Sequence, residues 1–381
     1  MSALVVDALD VPFGDAAGLT DVSFRVRSGE RLVVVGASGA GKTSLLGALA
    51  GFVSPSGGRI EMDGHDVASR PPERRPCVLL TQTPLLFPHL TVFENVAFPL
   101  RVRRVVGRDV RARVDAALAA VRLESFGDRR PATLSGGQAR RVALARAMVS
   151  RPKILLLDEP LAALDPSLRE SMRRMILQMH ADYRPALVMV THDLAEAGRV
   201  ADRIGVLVGG GLEQIGTPEE VFRRPATLQV ARFIGLRNEL VGEVRSGTQL
   251  VVGEVRLSLP GCRSPRPETG MGEGPRDRLP VSLVFGVQGA RLVPDGCPAS
   301  YPVDRIPARV ESVLHAPEGT TARLTTDHGP VEVRVDTAEV PAAGTAVQLQ
   351  IRLDEAHVFE RSSGSRFGAR PGLDGGGLHR A

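Results

Sequence analysis

The hydrophobic pattern changes character twice in the first fifty residues. Positions 22–26 alternate apolar and polar (Val-Ser-Phe-Arg-Val), Ser28-Gly29 interrupts, and 32–35 is the unbroken apolar run Leu-Val-Val-Val. Alternation suits a strand with one solvated face and a continuous run suits a strand covered on both, so two strands are predicted, the second buried. The helix formers of 44–50 follow and stop at Gly51. Two more buried strands are expected at 154–157 and 187–190. Another at 204–208 turns through Gly209-Gly210-Gly211 into 212–215. Between them, 84–150 has a helical, Arg-rich pattern divided by Pro84, Pro88, Pro99 and Pro131, which predicts an inserted helical region. Thr217-Pro218-Glu219-Glu220 reads as a capping box opening a helix that ends near Arg224-Pro225. From Gly242 the texture becomes short alternating segments (251–257, 308–314, 331–335, 347–352), which predict a second, all-β domain. The Pro/Gly/Arg-rich stretch 260–280 reads as a long loop, and 362–381 as a disordered tail.

Composition narrows the function classes. The chain has 381 residues, enough for two domains, with 43% hydrophobic and 24% charged residues, so most of it folds. Aromatics at 4% with no Trp disfavour a base-stacking surface for single-stranded nucleic acid. Cys77, Cys262 and Cys297 are too few and too scattered for a disulfide framework or a four-cysteine zinc site. No run approaches the eighteen apolar residues of a membrane helix and the N-terminus lacks a signal-peptide pattern, so a cytoplasmic protein is expected. A net charge of +5 is modest for this length and decides nothing alone. The Arg-rich stretch 101–113 reads as a solvated helical face, with lipid or partner contact as the alternative.

The lysines are more informative. Of 48 basic residues only Lys42 and Lys153 are lysine, and Lys42 closes Gly36-Ala37-Ser38-Gly39-Ala40-Gly41-Lys42-Thr43. That GxxxxGK[ST] pattern sits between a predicted strand and a predicted helix, the context in which glycines let backbone N–H groups face phosphate oxygens at a helix N-terminus. Lys42 would bridge the β and γ phosphates and the Thr43 hydroxyl would hold Mg²⁺. Asp158 and Glu159 end the strand at 154–157, and Thr191-His192-Asp193 ends the one at 187–190. In an open parallel sheet ligands bind beyond the carboxyl ends of the strands, so these polar ends should converge on one crevice. Asp158 suits a Mg²⁺ ligand and Glu159 the base for attacking water, although an acidic pair after a strand can also be a helix cap. Ser135-Gly136-Gly137-Gln138 opens a helix over 139–149, either as a second anion site or as an ordinary N-cap.

Taken in order, Gly36 to Thr43, Gln82, Leu134 to Gln138, Ile154 to Pro160, Leu164-Asp165 and His192 resemble the nucleotide-binding subunit of an ABC transporter. The resemblance spans 1 to about 235, and Leu134-Ser135-Gly136-Gly137-Gln138 just upstream of the Asp158-Glu159 strand makes it specific. Residues from 236 to 360 resemble, more weakly, the transport-associated OB-like domain of importer ATPases. The implied fold is an α/β P-loop NTPase domain (1–235) with an inserted helical subdomain (84–150), a C-terminal all-β OB-like domain (236–360) and a disordered tail (361–381). The resemblance further implies that Phe13, followed by Gly14, stacks on adenine, that Gly36 to Ser44 bind the nucleotide, and that Gln82 touches Mg²⁺ and the attacking water. It makes His192 the switch histidine on the γ phosphate, gives Ser135, Gly136, Gly137 and Gln138 to the site of a partner protomer, and puts Asp165 in the loop linking two sites of a dimer. Gln82 with Phe87-Pro88-His89-Leu90 resembles the groove that receives a membrane subunit.

The function so implied is ATP-driven import of a solute by a Mg²⁺-dependent homodimer docked under permease subunits at the inner membrane face and served indirectly by an extracytoplasmic solute-binding protein. Sugars, polyamines, ferric iron, sulfate and molybdate all remain open as solutes. The alternatives are a soluble ABC-type ATPase acting on nucleic acid or ribosomes, and an exporter ATPase; no nucleic-acid partner is expected. One departure stands out: Val284-Phe285-Gly286-Val287-Gln288 occupies the place of the branch's Gly-Ile-Arg-Pro-Glu-like turn.

Overall fold

A computed structural model describes residues 2–13, 16–245, 249–253, 255–258, 278–294, 305–317, 319–336 and 340–367. The chain divides into two units, Met1–Pro218 and Glu219–Ala381.

The first unit opens with β1 (Ser2–Phe13) and β2 (Ala16–Arg27), leaves for β3 (Arg31–Gly36) and α1 (Lys42–Ala50), and returns as β4 (Gly57–Met62) and β5 (His65–Asp66). These build an antiparallel sheet of order β2-β1-β4-β5. β1 escapes a sequence reading because its alternation is broken. Leu4 and Val6 are buried, the register against β2 shifts between Val6 and Leu9, and Leu9 and Val11 resume on the buried face. Ala8, at φ 46, takes up that irregularity.

The second sheet holds β3 with β6 (Cys77–Leu80), β7 (Ile154–Asp158), β8 (Ala186–Thr191), β9 (Arg203–Val208) and β10 (Gly211–Gly216) in the order β10-β9-β3-β8-β7-β6. All neighbours are parallel except the β9-β10 hairpin. The three strands expected to carry polar ends, β3, β8 and β7, are therefore adjacent, and their carboxyl ends lie together. α1 shares one core with both sheets: Leu45, Leu46 and Leu49 pack in the same cluster as Leu4 and Val6 of β1, Leu32 and Val34 of β3, and Val188 of β8. Only Thr43 of this helix is exposed, as expected for a helix apolar nearly all round.

The inserted region contains α2 (Val92–Val102), α3 (Gly107–Ala120) and α4 (Gly136–Met148), packed on one another. Thr91 and Glu94 cap α2 reciprocally. Fully buried Asn95 holds the preceding turn, accepting from the Phe87 N–H at 2.8 Å and donating to the Phe87, Leu90 and Thr91 carbonyls. Most of 101–113 is exposed, with Val110 buried toward the bundle, so the arginines lie on a solvated face. α5 (Pro166–Tyr183) and α6 (Leu194–Val200) follow β7 and β8.

α7 (Pro218–Arg223) lies at the division, and α8 (Leu228–Phe233) belongs to the second unit, so the units part earlier than the expected 235. The reason is burial: Ala231 of α8 packs in one cluster with Val284 and Phe359 of the β unit. That unit has two antiparallel five-stranded sheets. One comprises β11 (Asn238–Arg245), β12 (Gln249–Val252), β13 (Val255–Ser258), β14 (Arg278–Phe285) and a late strand; the other begins with β15 (Ala290–Pro294), β16 (Arg305–Ala316), β17 (Gly319–Thr326), β18 (Gly329–Val335) and β19 (Ala346–Ile351). The late strand is β20 (Ala356–Glu360), and the orders are β13-β12-β11-β14-β20 and β15-β19-β16-β17-β18. A single core joins them, and buried Asn238 links β11 to β18 by donating to the Glu332 carbonyl at 2.8 Å and accepting from the Glu332 N–H at 2.8 Å. The segment 251–257, expected as one strand, is split between β12 and β13, whose Val252 and Val255 pair across a hairpin.

The expected tail starts later than 361. The Glu360 and Phe367 N–H groups donate to the Ser365 and Val358 carbonyls, and Phe367 packs on the β core. Positions 368–381, most of the expected loop at 260–280, Cys262 and Cys297 lie outside the described residues. Among the described residues no helix is long and apolar enough to cross a membrane.

Candidate functional site

The site is built on the turn from β3 to α1. Gly39 and Gly41 take φ +83 and +96, which an L side chain adopts only with strain. A Cβ on Gly36 would sit 2.6 Å from the Leu207 carbonyl oxygen of β9, and one on Gly41 would sit 2.6 Å from Leu19 Cδ2. Steric approach thus fixes the first and last glycines. Lys42 is buried, and its Nζ donates to the Gly36 and Ala37 carbonyls at 2.8 Å each. Burial holds its pKa below the usual lysine value, against the opposing pull of the Glu159 and Asp158 carboxylates. The ammonium is thus folded back over the loop between backbone acceptors, with acidic groups nearby to keep it charged.

Asp158 ends β7, beside β8. Its Oδ1 lies 3.5 Å from the Thr43 hydroxyl, which donates to it at the limit of a hydrogen bond. Burial first, and then the neighbouring Glu159, raise the Asp158 pKa. A hydroxyl and a partly desolvated carboxylate facing each other at this separation form a pair of hard oxygen donors. Among the described residues no group of three or more His, Cys, Asp and Glu side chains could hold a metal by itself. A cation here would need further oxygens from a nucleotide or water, and this donor set suits Mg²⁺, which keeps waters and phosphate oxygens in its shell.

Glu159 has φ 42, uncommon for a residue with a side chain, and its N–H donates to the Val190 carbonyl of β8 at 3.1 Å. This carries its carboxylate out of line with Asp158 and toward the end of β8, where Oε1 meets His192 Nδ1 at 3.2 Å. Glu159 is half-buried and His192 exposed. Strand adjacency alone makes this pair, since the two residues are 33 apart in sequence.

Gln82 lies exposed just beyond β6, bordering a narrow recess with Arg140, Pro160 and Met172. Ser135 caps α4: its Oγ accepts from the Gln138 N–H at 3.3 Å while Gln138 Oε1 accepts from the Ser135 N–H at 3.0 Å. The capping reading of this motif is thus realised, and Ser135 and Gly136 remain exposed beside it. Gly137 has a packing reason, because a Cβ there would lie 2.5 Å from Leu168 Cδ2 of α5. Asp165 caps α5, accepting from the Leu168 N–H at 2.9 Å. Within one chain, then, 135–138 and 165 act as helix caps, and the β3-α1 loop, Thr43, Asp158, Glu159 and His192 gather at neighbouring strand ends. The Phe13 side chain and Gly14 lie outside the described residues.

Three further residues were missed by sequence reasoning. Arg75 is buried with its guanidinium on backbone carbonyls at the end of α1. Arg140 Nη1 donates to the Ala162 carbonyl at 2.8 Å, tying α4 to the loop after β7. Glu196 is buried in the first turn of α6. For Glu196 a signal existed: Asp193-Leu194-Ala195-Glu196 has the spacing of a helix start with an acid at its third position.

Residues 19–162 match the family model described as ABC transporter. Over 262 residues the chain is 44% identical to the spermidine/putrescine import ATP-binding protein PotA of Chromobacterium violaceum, covering 69% of this chain and 72% of that protein. It is 45% identical over 250 residues to PotA of Pseudomonas aeruginosa strain UCBPP-PA14, with 65% and 68% covered. It is 40% identical over 242 residues to the molybdate/tungstate import ATP-binding protein WtpC of Pyrococcus horikoshii, with 64% and 70% covered.

Proposed function

Because this chain belongs to the family of ABC transporter ATP-binding subunits, we propose that it hydrolyses ATP at the β3-α1 loop with Glu159 and His192 as the hydrolytic pair and Mg²⁺ held by Thr43, Gln82 and Asp158. Subunits of this kind bind ATP, hydrolyse it and work with membrane permease components to drive solute import. The observation that carries the assignment is the alignment of three strand ends: Thr43 at 3.5 Å from Asp158, and Glu159 at 3.2 Å from His192.

On this reading Gly36 to Ser44 wrap the phosphates. Lys42 turns from the loop carbonyls to the β and γ phosphate oxygens, which replace neutral acceptors with charged ones. When bound, Mg²⁺ supplies charge neutralisation to the phosphate oxygens. Glu159 orients and accepts a proton from the attacking water, and His192 Nδ1 steadies its carboxylate. Phe13 stacks on adenine.

Two copies act together, each lending Ser135, Gly136, Gly137 and Gln138 to the other's nucleotide, with Asp165 at the junction. Exposure of the Ser135-Gly136 corner supports this, because one chain's own strand ends have no need of it. ATP then joins the halves and hydrolysis lets them part. The permease docks at the cytoplasmic membrane face against Gln82 and 87–90. There Phe87 packs on Phe98 with ring centroids 4.6 Å apart, Arg146 lies 5.3 Å from the Phe87 ring, Arg130 donates to the His89 carbonyl at 3.1 Å, and Leu85 stays exposed, giving an apolar surface edged by arginines. An extracytoplasmic binding protein delivers the solute. Relatives named for polyamine and for molybdate/tungstate import match over similar lengths, so solute choice resides in the permease and binding protein.

The test is Glu159→Gln in the full chain. It should bind ATP, form a nucleotide-dependent dimer by light scattering and lose about a hundred-fold or more in turnover; normal hydrolysis would remove Glu159 from the role. Lys42→Ala should lose ATP affinity, and unchanged affinity would refute the loop assignment.

A further inference from the structure

Resting on the Glu159-His192 assignment above, we propose that Glu196 is a positioning residue for His192, acting through a closed ring of hydrogen bonds at the β8-α6 turn. Three observations define the ring. The Thr191 hydroxyl donates to Glu196 Oε2 at 3.0 Å and accepts from the Asp193 N–H at 3.1 Å. Asp193 Oδ1 accepts from the Glu196 N–H at 3.0 Å. His192 is the one residue between Thr191 and Asp193, so the ring fixes both peptide planes that aim its imidazole at Glu159 Oε1.

Thr191 and Glu196 are buried, whereas His192 is exposed. An exposed side chain is thus aimed by a buried polar anchor, the arrangement that holds a reacting group in register. Ordinary capping does not account for the anchor: Asp193 alone caps α6, and the Glu196 carboxyl turns inward to Thr191 instead of back to the Asp193 N–H.

The anchor is also sensitive to protonation. Glu196 Oε1 is buried and has no hydrogen-bond partner. The charged groups facing it are Asp193 on its own turn, Arg169 of α5 and His192; burial, helped by Asp193, outweighs the Thr191 hydrogen bond, Arg169 and His192 and pushes the carboxyl up to about 7. A neutral carboxyl fits this pocket. An ionised one leaves a charge on an unpartnered oxygen, which draws in water or a cation and loosens the ring. His192 is therefore held best below about pH 7.

The test uses the full chain and three variants, measuring ATP affinity and the kcat and KM of ATP hydrolysis from pH 6 to 8.5. Glu196→Gln keeps the acceptor for Thr191 and stays neutral. Its kcat should match wild type at pH 6, and the wild-type-to-variant ratio should fall about three-fold or more by pH 8.5 with a midpoint near 7. Glu196→Ala and Thr191→Val should each lower kcat about ten-fold at pH 6 with KM for ATP unchanged, a loss that Glu196→Gln does not share. A ratio independent of pH, or full kcat in both Glu196→Ala and Thr191→Val, would overturn the proposal while ATP binding and the Glu159→Gln defect stand. Loss of those two instead would overturn the underlying site assignment, and this inference with it.

Discussion

Replacing Arg75 with methionine keeps the length of the side chain and removes every donor. In the folded chain the guanidinium sits at the carboxyl end of α1 and spans four carbonyls: Nη1 to Ala48 and Leu49 at 2.5 and 2.8 Å, Nη2 to Ala68 at 2.9 Å and Nε to Arg70 at 2.9 Å. Helix ends leave carbonyls unpaired and carry partial negative charge, which is what a buried cation needs as counter-charge. Burial depresses the Arg75 pKa, yet arginine stays protonated. The Ala48 carbonyl also accepts from the Gly51 N–H at 3.3 Å, so the other three lose their main partner in the variant. At about 1 kcal/mol or more per orphaned carbonyl, less the desolvation recovered by removing the charge, the net cost is roughly 2–4 kcal/mol. Arg75→Lys should recover only part, since one ammonium cannot span four acceptors in this geometry. Urea unfolding of the first unit's transition measures the loss, and hydrogen exchange at 51–53 locates it, because the Gly51, Phe52 and Val53 amides bond back to the last turns of α1. ATP affinity should fall in parallel, since α1 begins at Lys42. A variant within about 0.5 kcal/mol of wild type, with unchanged exchange at 51–53, would show that the helix end does not depend on this clamp.

Two other outcomes follow from packing and from charge. Gly137→Ala places a methyl 2.5 Å from a Leu168 methyl, so it should destabilise by about 1 kcal/mol, and Leu168→Ala should cost less in that background than in wild type, a coupling read by a double-mutant cycle in urea. Glu196, raised from 4.5 to about 7, binds its proton more tightly folded than unfolded, so stability is full below about 4.5 and is lost as pH rises toward 7. Wild type should therefore lose up to roughly 3 kcal/mol relative to Glu196→Gln between pH 4.5 and 8, measured by unfolding at matched ionic strength; a constant difference across that range would refute the shift.

What could be read from sequence and what could not divide along a physical line. Gly36 to Thr43 were legible because the β3-α1 turn is local: its glycines, its lysine and its flanking strand and helix are contiguous, and each leaves a mark in composition. Buried parallel strands were legible as continuous apolar runs. β1 was not, because a bulge near Ala8 breaks its alternation and only pairing with β2 and β4 restores it. The boundary expected at 235 differs from the division after Pro218 because nothing local marks 225–235 as part of the β unit, and only the apolar cluster of Ala231, Val284 and Phe359 assigns α8 to it.

By itself, then, the sequence determined the chemistry available to this protein: a glycine turn with its lysine, an acid pair after one buried strand and a histidine after another. The tertiary structure decided which of these groups meet. Strand order puts β7 beside β8, and the positive φ of Glu159 aims its carboxylate at His192 across 33 residues of chain. It alone placed Arg75 under α1, because burying a charge is tolerable only where carbonyls from elsewhere in the chain, here Ala48 and Leu49, arrive to meet it. No local pattern encodes that arrival.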